Sequence, residues 1–423
     1  MSRPTAVVLV TGSELVRGGR TDENGPFLAR ELSLRGIEPA RILVVGDRPE
    51  DLEQAMRDAL QADLVITSGG LGPTHDDRTV EVLAQVAGRA LVLDLSLERE
   101  IGQVVRGLSE RFRRPYEEFE SGVRKQATIP EGAESLGLAG TAPGLVLETG
   151  STTVVVLPGP PGELQRLWAR ALESEPVQRA FAAAEHPEHR VLRFFGLPES
   201  AVARVVEGAG GEAEGMDITI CAHDLEVQVD LVARPEAIKR ADILAEGLRR
   251  GLSQALFAED ERPVEAIVLG LARDQKLTLA TAESCTGGLV AARLTSVPGS
   301  SDAFLGSVVA YDDRVKGDVL GVPEPVLERH GAVSAETARA MAEGARRALE
   351  ADVAVSVTGV AGPGGGTDEK PVGLVFLHAA GSSGEQAVEL RLPGSREAVR
   401  RRAAASALHL LRRLLAQSRH SQG

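Results

Sequence analysis

The chain has 423 residues, of which 43% are hydrophobic and 26% charged, a balance typical of a folded protein with two or three domains. Its formal net charge of −14 argues against a general nucleic-acid binder, which needs a basic face to neutralise phosphates. Two cysteines, Cys221 and Cys285, exclude a disulfide framework, and the lack of a long apolar run or secretory signal pattern predicts a cytoplasmic protein with no membrane partner.

The first 170 residues alternate apolar, β-branched runs with helical patterns. Runs at 6–11, 41–46 and 62–70 lead into glycine-containing turns, and helical patterns follow them. This alternation is typical of a parallel sheet with helices on both faces. We therefore predict an α/β domain of three layers over residues 1–170.

The rest of the chain reads as two further domains. Residues 171–255 have the pattern of strands packed on one or two helices, a small α+β connecting domain for which the sequence indicates no chemistry. A second series of strands and helices begins near residue 263 and closes with a helix from about 395. This series predicts another α/β domain over residues 256–423.

A glycine-rich segment, TSGGLGPTHDDRT (67–79), follows a predicted strand in the first domain. The carboxyl ends of parallel strands are where open α/β sheets bind ligands. Closely spaced small residues let backbone amides approach a phosphate, while Asp76, Asp77 and Thr79 offer oxygen ligands to a divalent metal. Asp47 ends the preceding strand at the same edge. The alternative is an ordinary glycine turn with an aspartate capping the next helix.

The segment AESCTGG (282–288) gives the last domain its strongest signal. Ser284 is predicted at a turn from strand to helix, where a hydroxyl is exposed beside free backbone amides. The alternative is that Ser284 or Thr286 only caps the helix. Cys285 is a rival nucleophile, because a helix N-terminus lowers the pKa of a thiol, or else a small buried side chain.

Lys316, in AYDDRVKGD (310–318), is one of only five lysines against 42 arginines. A desolvated lysine beside a serine can accept the hydroxyl proton. The alternative is a solvated charge on a helix. His330 precedes a predicted helix start at Ser334 and is a poor candidate for the base.

Two later segments complete the candidate site of the last domain. A strand running into TGVAGP (358–363) supplies the hydroxyl of Thr358 and a glycine backbone that can lie against a nucleotide. Arg396 and Arg400 can bind a phosphate, or they simply decorate an exposed helix.

Several segments of the first domain resemble the molybdopterin-binding fold, and more closely the CinA family of competence/damage-inducible proteins. They are TGSELVRG, VVGD, GGLGPTHDDRT, VRKQATIPEGAESL, GTAPG and LPGPPGE. The resemblance implies hydrolysis of ADP-ribose to AMP and ribose 5-phosphate, with a divalent metal such as Mg or Co and K⁺ as a further ion. It makes Asp47 and Asp77 catalytic residues that hold the metal. The implied substrate contacts are Ser13, Glu14, Gly69, Gly70, Gly72 and Thr79.

The motifs AESCTGG, GSVVAY with its following lysine, GAVS and TGVAGP with EKPVG resemble the nicotinamide mononucleotide deamidase (PncC) domain at the C-terminus of CinA proteins. The resemblance implies Ser284 as nucleophile, Lys316 as base, and Tyr311 and Thr358 as residues that arrange the site. It implies no cofactor for this half. The implied substrate contacts are Gly287, Gly288, Gly359, Gly362, Arg396 and Arg400.

The sequence thus predicts a bifunctional hydrolase of pyridine nucleotide recycling, acting on small-molecule nucleotides and expected to form a homodimer. Two alternatives stay open. The first domain could belong to a molybdopterin-cofactor enzyme, or the protein could be a competence or DNA-repair accessory that acts through protein partners.

Overall fold

A computed structural model describes residues 4–182, 184–382 and 384–420. The chain forms two compact units. The first comprises the residues up to Glu188 together with Arg234–Glu236, and the second comprises His189–Ala233 and the residues from Ala237 onward. None of the helices within the described ranges combines the length and apolar character that crossing a membrane would require.

The strands of the first unit are β1 (Thr5–Thr11), β2 (Glu38–Val45), β3 (Leu64–Ser68), β4 (Leu91–Leu93), β5 (Thr128–Pro130), β6 (Glu134–Leu138), β7 (Pro143–Thr149) and β8 (Thr152–Leu157). Its helices are α1 (Ser13–Val16), α2 (Asn24–Leu34), α3 (Pro49–Ala59), α4 (Thr79–Ala87), α5 (Leu95–Phe112), α6 (Glu120–Gln126), α7 (Pro161–Ala171) and α8 (Glu175–Phe181).

Six of these strands form one sheet in the order β2-β1-β3-β8-β7-β6. β1 pairs in parallel with β2 and β3, β3 pairs in parallel with β8, and β7 and β6 complete the sheet in antiparallel fashion. Apolar side chains on both faces of β1 pack into two separate clusters, so helices cover both faces. The three-layer α/β prediction is confirmed, and a turn at Gly150 joins β7 to β8.

One strand differs from its sequence pattern. The run 41–46 is apolar enough to predict a fully buried strand, but β2 is the edge of the sheet, and Ile42 and Val44 are each 41% exposed. Hydrophobicity alone does not distinguish an edge strand from a central one when both pair in parallel.

The strands of the second unit are β9 (Glu188–Phe195), β10 (Met216–His223), β11 (Glu226–Ala233), β12 (Leu256–Ala258), β13 (Leu279–Glu283), β14 (Phe304–Val309), β15 (Val353–Gly359), β16 (Leu374–Gly381) and β17 (Gly384–Arg391). Its helices are α9 (Glu199–Gly208), α10 (Ile238–Gly251), α11 (Val264–Asp274), α12 (Leu289–Thr295), α13 (Asp313–Asp318), α14 (Glu324–His330), α15 (Ala335–Leu349) and α16 (Arg396–His420).

Two sheets organise the second unit. A four-stranded sheet, β10-β11-β9-β12, packs its own apolar cluster against α9 and α10. A five-stranded sheet, β14-β13-β15-β16-β17, has three parallel strands followed by two antiparallel ones. Its two faces are covered by α11, α12 and α16 on one side and by α15 on the other.

Helix α8 belongs to the first compact unit, although the predicted boundary at residue 170 puts it in the connecting domain. α8 lies beyond residue 170, yet its Val177 is buried in a cluster of the first unit with Trp168 of α7. The division into three domains at residues 170 and 255 stays a prediction.

Candidate active sites

The first unit has a cleft of about 330 Å³ at the carboxyl end of its parallel strands. The residues that follow β1, β3 and β8 meet there, because neighbouring parallel strands end at the same edge of the sheet. Most of the predicted residues of this site line the cleft: Glu14, Asp47, Gly69, Gly70, Gly72 and Asp77.

The loop after β3 turns its backbone into the cleft lining. Gly69 and Gly70 have φ angles of 99° and 68°, in the left-handed region that favours glycine. A Cβ atom on Gly70 would lie 2.1 Å from the Oγ1 atom of Thr79. In the described part of the chain, the amides of Gly70, Leu71 and Gly72 donate to no acceptor. These N–H groups are therefore available to a bound anion.

Thr79 stabilises the loop after β3 through a buried hydrogen bond. It begins α4, is fully buried, and donates from its hydroxyl to the Gly69 carbonyl at 2.8 Å. The structure thus gives Thr79 a contact within the protein where the sequence predicts a contact with a ligand. Its burial by α4 was not visible from the spacing of the motif.

The acidic residues of the loop do not cap α4, whose N-cap residue Arg78 makes no side-chain cap. Asp77 Oδ2 accepts the Thr74 amide at 3.0 Å, and the Thr74 hydroxyl donates to Asp76 and Asp77. The alternative of a glycine turn closed by a helix-capping aspartate therefore does not describe this loop. Lys125, which has no predicted role, donates to the carbonyls of Thr74 and Asp77 and so secures the loop.

Asp47 is held by the start of α1. The Ser13 amide donates to Asp47 Oδ2 at 2.9 Å, and the Asp47 amide donates to Ser13 Oγ at 3.2 Å. Ser13 was predicted as a substrate contact, and in the structure it orients the carboxylate of Asp47.

The lining of this cleft is strongly acidic. Within the described residues, the lining contains no Lys or Arg. It contains five carboxylates, those of Glu14, Asp47, Asp76, Asp77 and Glu163. Glu163 was missed, although it is the last residue of the quoted segment LPGPPGE. Burial raises the pKa of its carboxyl. The described residues offer that carboxylate no hydrogen bond or ion pair, so it is free to face a ligand.

A metal held by protein side chains alone finds little support here. Nowhere in the described ranges do three or more His, Cys, Asp or Glu side chains form a group suited to a metal ion. Asp47 and Asp77 nevertheless share the cleft, and each uses one carboxylate oxygen, Oδ2, in the hydrogen bonds above. Mg²⁺ commonly takes one or two carboxylates and completes its shell with water and substrate phosphates. The two aspartates fit an ion that binds together with a phosphate-bearing ligand.

The candidate site of the second unit lies at the carboxyl end of β13. Glu283, the last residue of β13, is in register with Val309 of β14 and Val357 of β15, both parallel to it. Ser284, Tyr311 and Thr358 therefore occupy one edge of the sheet, at the ends of adjacent strands. The structure brings these three predicted residues together as parallel pairing requires.

Ser284 sits at the predicted turn from strand to helix. Its amide donates to the Val357 carbonyl at 2.8 Å, and the residue is only 9% exposed. Neither Ser284 nor Thr286 caps α12, because Gly288 is the N-cap residue. Across the described residues, the Ser284 hydroxyl has no hydrogen-bond partner, and the amides of Cys285 and Thr286 donate to no other residue. A free hydroxyl beside free N–H groups is the arrangement of a nucleophile with an oxyanion site.

Glu283 explains how this turn is held. Its carboxylate is fully buried and accepts the amides of Gly288, Val290 and Ala291 at 3.0, 3.0 and 2.9 Å. The first turn of α12 is thereby occupied by a protein carboxylate, and anion binding at that terminus is excluded. From the sequence, Glu283 was interpreted only as part of the AESCTGG motif. An acidic residue shortly before a helix start was the signal that could have identified it.

Cys285 is a poor nucleophile in this structure. Its side chain is 5% exposed, and burial raises the pKa of the thiol to about 12. The thiolate is the reactive form of cysteine, so the thiol is inert near neutral pH. Of the two interpretations given for Cys285, the small buried side chain fits the structure.

Lys316 is buried, not a solvated helix charge. Its side chain is 1% exposed, and its Nζ atom donates to Asp313 Oδ1 at 3.0 Å and to the Tyr311 carbonyl at 3.4 Å. None of its hydrogen bonds within the described part of the chain runs to Ser284. The contact with Tyr311 brings the amine to the same strand edge as the serine.

Arg396 and Arg400 reach from α16 to the loops of this edge. Arg396 donates to the Gly362 carbonyl and to the Tyr311 hydroxyl, each at 2.7 Å, and Arg400 donates to the Thr286 carbonyl at 2.8 Å. They do not simply decorate an exposed helix. Arg400 also lies near Gly287, since a Cβ there would be 3.5 Å from its Nη2 atom.

Other predicted residues of this edge have structural contacts. The Thr358 hydroxyl is buried and donates to the Ala332 carbonyl at 2.6 Å. A Cβ atom on Gly359 would lie 2.6 Å from the Leu374 carbonyl oxygen of β16, and one on Gly362 would lie 2.5 Å from Val372. Gly288 has a left-handed φ of 92° as the N-cap of α12. These glycines are required by the backbone path itself.

The fold and these two sites define a protein that joins a molybdopterin-binding-type α/β domain to a second α/β domain with a serine at its strand edge. The family described as "Probable molybdopterin binding domain" matches residues 7–177, and "CinA C-terminal domain" matches residues 261–415. The chain is 44% identical to a CinA-like protein of Mycobacterium avium, over 97% of this chain and 98% of that one. The chain belongs to the CinA family.

A second relative and a solved structure are also similar to this chain. A CinA-like protein of Mycobacterium tuberculosis is 43% identical, with 97% of each chain covered. A crystal structure of the competence/damage inducible protein CihA from Agrobacterium tumefaciens is 39% identical over 37% of this chain and 99% of that chain, with a TM-score of 0.35.

Proposed function

We propose that the second unit is a nicotinamide mononucleotide deamidase with Ser284 as its nucleophile. The observation that carries the proposal is the buried Ser284 hydroxyl, which has no protein partner within the described residues and lies beside two free amides. The rival thiol of Cys285, with a pKa of about 12, supports the serine further.

The reaction follows from these groups. The Ser284 oxygen attacks the carboxamide carbon while Lys316 accepts the hydroxyl proton. The amides of Cys285 and Thr286 stabilise the oxyanion, and collapse of the intermediate expels ammonia after proton return from Lys316. Water then hydrolyses the acyl ester in the same way, which releases nicotinic acid mononucleotide and restores the serine.

The phosphate of this substrate needs a cationic partner. The N-terminus of α12 is occupied by Glu283, so we assign the phosphate to the side chains of Arg396 and Arg400. Both already contact the loops around Ser284.

The test is release of ammonia from nicotinamide mononucleotide, with the nucleotide products resolved by chromatography. Ser284→Ala should reduce turnover by about three orders of magnitude or more. Cys285→Ala is the matched control one residue away and should stay within about threefold of the parent. An active Ser284→Ala variant, or an inactive Cys285→Ala variant that is still folded, contradicts the serine mechanism.

We propose that the first unit hydrolyses ADP-ribose to AMP and ribose 5-phosphate. The free amides of the glycine loop support binding of phosphates, and the acidic lining supports a role for a bound cation. Asp47 and Asp77 would hold a divalent metal, which would offset the charge of the bridging phosphates. Ser13 and Lys125 keep the Asp47 carboxylate and the Asp77 loop in place for this task.

Replacing Asp47 or Asp77 with Ala should abolish ADP-ribose cleavage and leave deamidation unchanged, because the two activities are assigned to separate units. Equal loss of both activities would indicate misfolding and would remove the support for these residues. Binding of ADP-ribose measured against molybdopterin tests the substrate class, and a preference for molybdopterin would overturn the assignment.

A further inference from the structure

The start of α16 connects the separate loops of the deamidase edge. Arg396 joins the residue Tyr311 after β14 to the loop after β15 at Gly362, and Arg400 joins α16 to the loop after β13 at Thr286. The position of one helix therefore sets the positions of two arginine side chains and three loops. Whatever fixes α16 fixes this edge.

A hairpin of the four-stranded sheet holds α16 at two points. Asp224, at the turn between β10 and β11, accepts from Arg401 Nε at 3.0 and 3.3 Å. Glu226 accepts from His409 Nε2 at 3.0 Å. These contacts are eight residues apart on the helix, or about 12 Å along its axis. Two points at different heights fix both the axial position and the rotation of a helix.

The turn itself is strained in a way that its contacts explain. Asp224 and Leu225 both have left-handed backbones, with φ of 47° and 72°, in a turn where Asn-Gly is usual. A leucine in this region is energetically unfavourable and persists only where surrounding contacts enforce it. Leu225 packs against the apolar cluster that contains the core of α16, and its carbonyl accepts the Gly196 amide at 2.9 Å.

We propose that the β10–β11 hairpin is a positioning element of the deamidase site, with Asp224 as the residue that sets Arg400 and Arg396 through Arg401. The connecting segment, for which the sequence indicated no chemistry, thereby acts on the phosphate end of the substrate. The proposal rests on the proposed deamidase function. It assigns to Asp224 a role in substrate affinity and leaves the chemical step at Ser284 untouched.

The experiment compares two carboxylates that share one arginine in the full-length protein. Asp224→Asn removes the negative charge of the side chain that contacts Arg401, and asparagine tolerates the left-handed backbone. Glu397→Gln is the matched control, because Glu397 is the other partner of Arg401 but lies on α16 itself. We expect Asp224→Asn to raise the KM for nicotinamide mononucleotide about fivefold with kcat within about twofold, and Glu397→Gln to change neither beyond about twofold. Leu225→Gly, which keeps the turn but deletes the packing, should raise KM in the same direction.

Coupling to Arg401 and a measurement without substrate complete the test. In an Arg401→Gln background, Asp224→Asn should have no further effect on KM. Hydrogen exchange of residues 396–400, at the start of α16, should be faster in Asp224→Asn than in Glu397→Gln. Equal effects of Asp224→Asn and Glu397→Gln on KM and on exchange would overturn the positioning role. If the parent protein does not deamidate the nucleotide, the proposed function fails, and the exchange comparison alone still decides the role of the hairpin.

Discussion

His409 should make the stability of the second unit depend on pH. The imidazole is fully buried in α16, stacked on Phe195 at 3.7 Å between ring centroids and edge-on to Phe257. Burial lowers its pKa from 6.5 to about 4, although the hydrogen bond to Glu226 opposes that shift. The neutral ring donates from Nε2 to Glu226, and its Nδ1 atom has no partner among the described residues. Protonation would place a buried N–H donor at Nδ1 without an acceptor.

The magnitude follows from linkage. The folded pKa lies below the unfolded value, so the unfolded state binds more protons between pH 6.5 and pH 4. The contribution of His409 to the free energy of unfolding is fully present above pH 6.5 and is lost as the pH falls towards 4. The gap between the two pKa values corresponds to about 3 kcal/mol.

His409→Gln isolates this contribution. Glutamine keeps an N–H donor for Glu226 but does not titrate, and Glu226 retains its ion pair with Arg193 at 2.7 Å. Urea unfolding of the second unit, followed at pH values from 4 to 7, should give a wild-type curve that falls more steeply on acidification than the curve of the variant, by about 3 kcal/mol in total. Parallel curves would refute the burial argument, because carboxylates that do not contact His409 contribute equally to both proteins.

Three other substitutions test the sites more directly. Lys316→Arg keeps the positive charge but cannot accept a proton, so kcat for deamidation should fall about 100-fold or more while nucleotide binding measured by calorimetry survives; normal turnover would exclude Lys316 as the base. Glu283→Gln weakens the bonds to three amides of α12 and should lower the stability of the second unit by about 1–3 kcal/mol in chemical denaturation, whereas an unchanged midpoint would contradict the anchoring role. Burial raises the pKa of Glu163, so above pH 4.5 the folded first unit binds more protons than the unfolded chain and loses stability as the pH rises. Glu163→Gln should abolish this loss of stability in melting curves. Identical pH profiles of the wild type and the variant would contradict the effect of burial on Glu163.

Much of the architecture could be predicted from the sequence because it depends on local patterns. Apolar runs followed by helical patterns gave both α/β sheets, and the AESCTGG segment placed Ser284 at a turn that the structure contains. The helix start at Ser334 was also predicted correctly, since its side chain caps α15 by accepting the Thr337 amide. These features are encoded within a few residues of one another.

Contacts between segments that are far apart in the sequence could not be predicted from such local patterns. A side chain at position 359 would clash with the Leu374 carbonyl on the neighbouring antiparallel strand, so Gly359 is required there. The hydroxyl of Thr358 donates to the Ala332 carbonyl. The hairpin turn at Asp224 and Leu225 carries no glycine or asparagine, so the usual turn signal is missing. Its conformation depends on contacts with a helix about 180 residues later in the chain.

The charges lining the two sites lead to different requirements for binding a phosphate. In the first unit the cleft presents carboxylates and, among the described residues, no basic side chain, so a polyphosphate can bind there only with a cation that screens those carboxylates. In the second unit the carboxylate of Glu283 accepts three amides at the start of α12, and Arg396 and Arg400 supply the positive charge. We therefore expect metal dependence to be confined to the proposed ADP-ribose cleavage, because of where this chain places its acidic and basic side chains. This expectation does not depend on any other feature of the two proposed reactions.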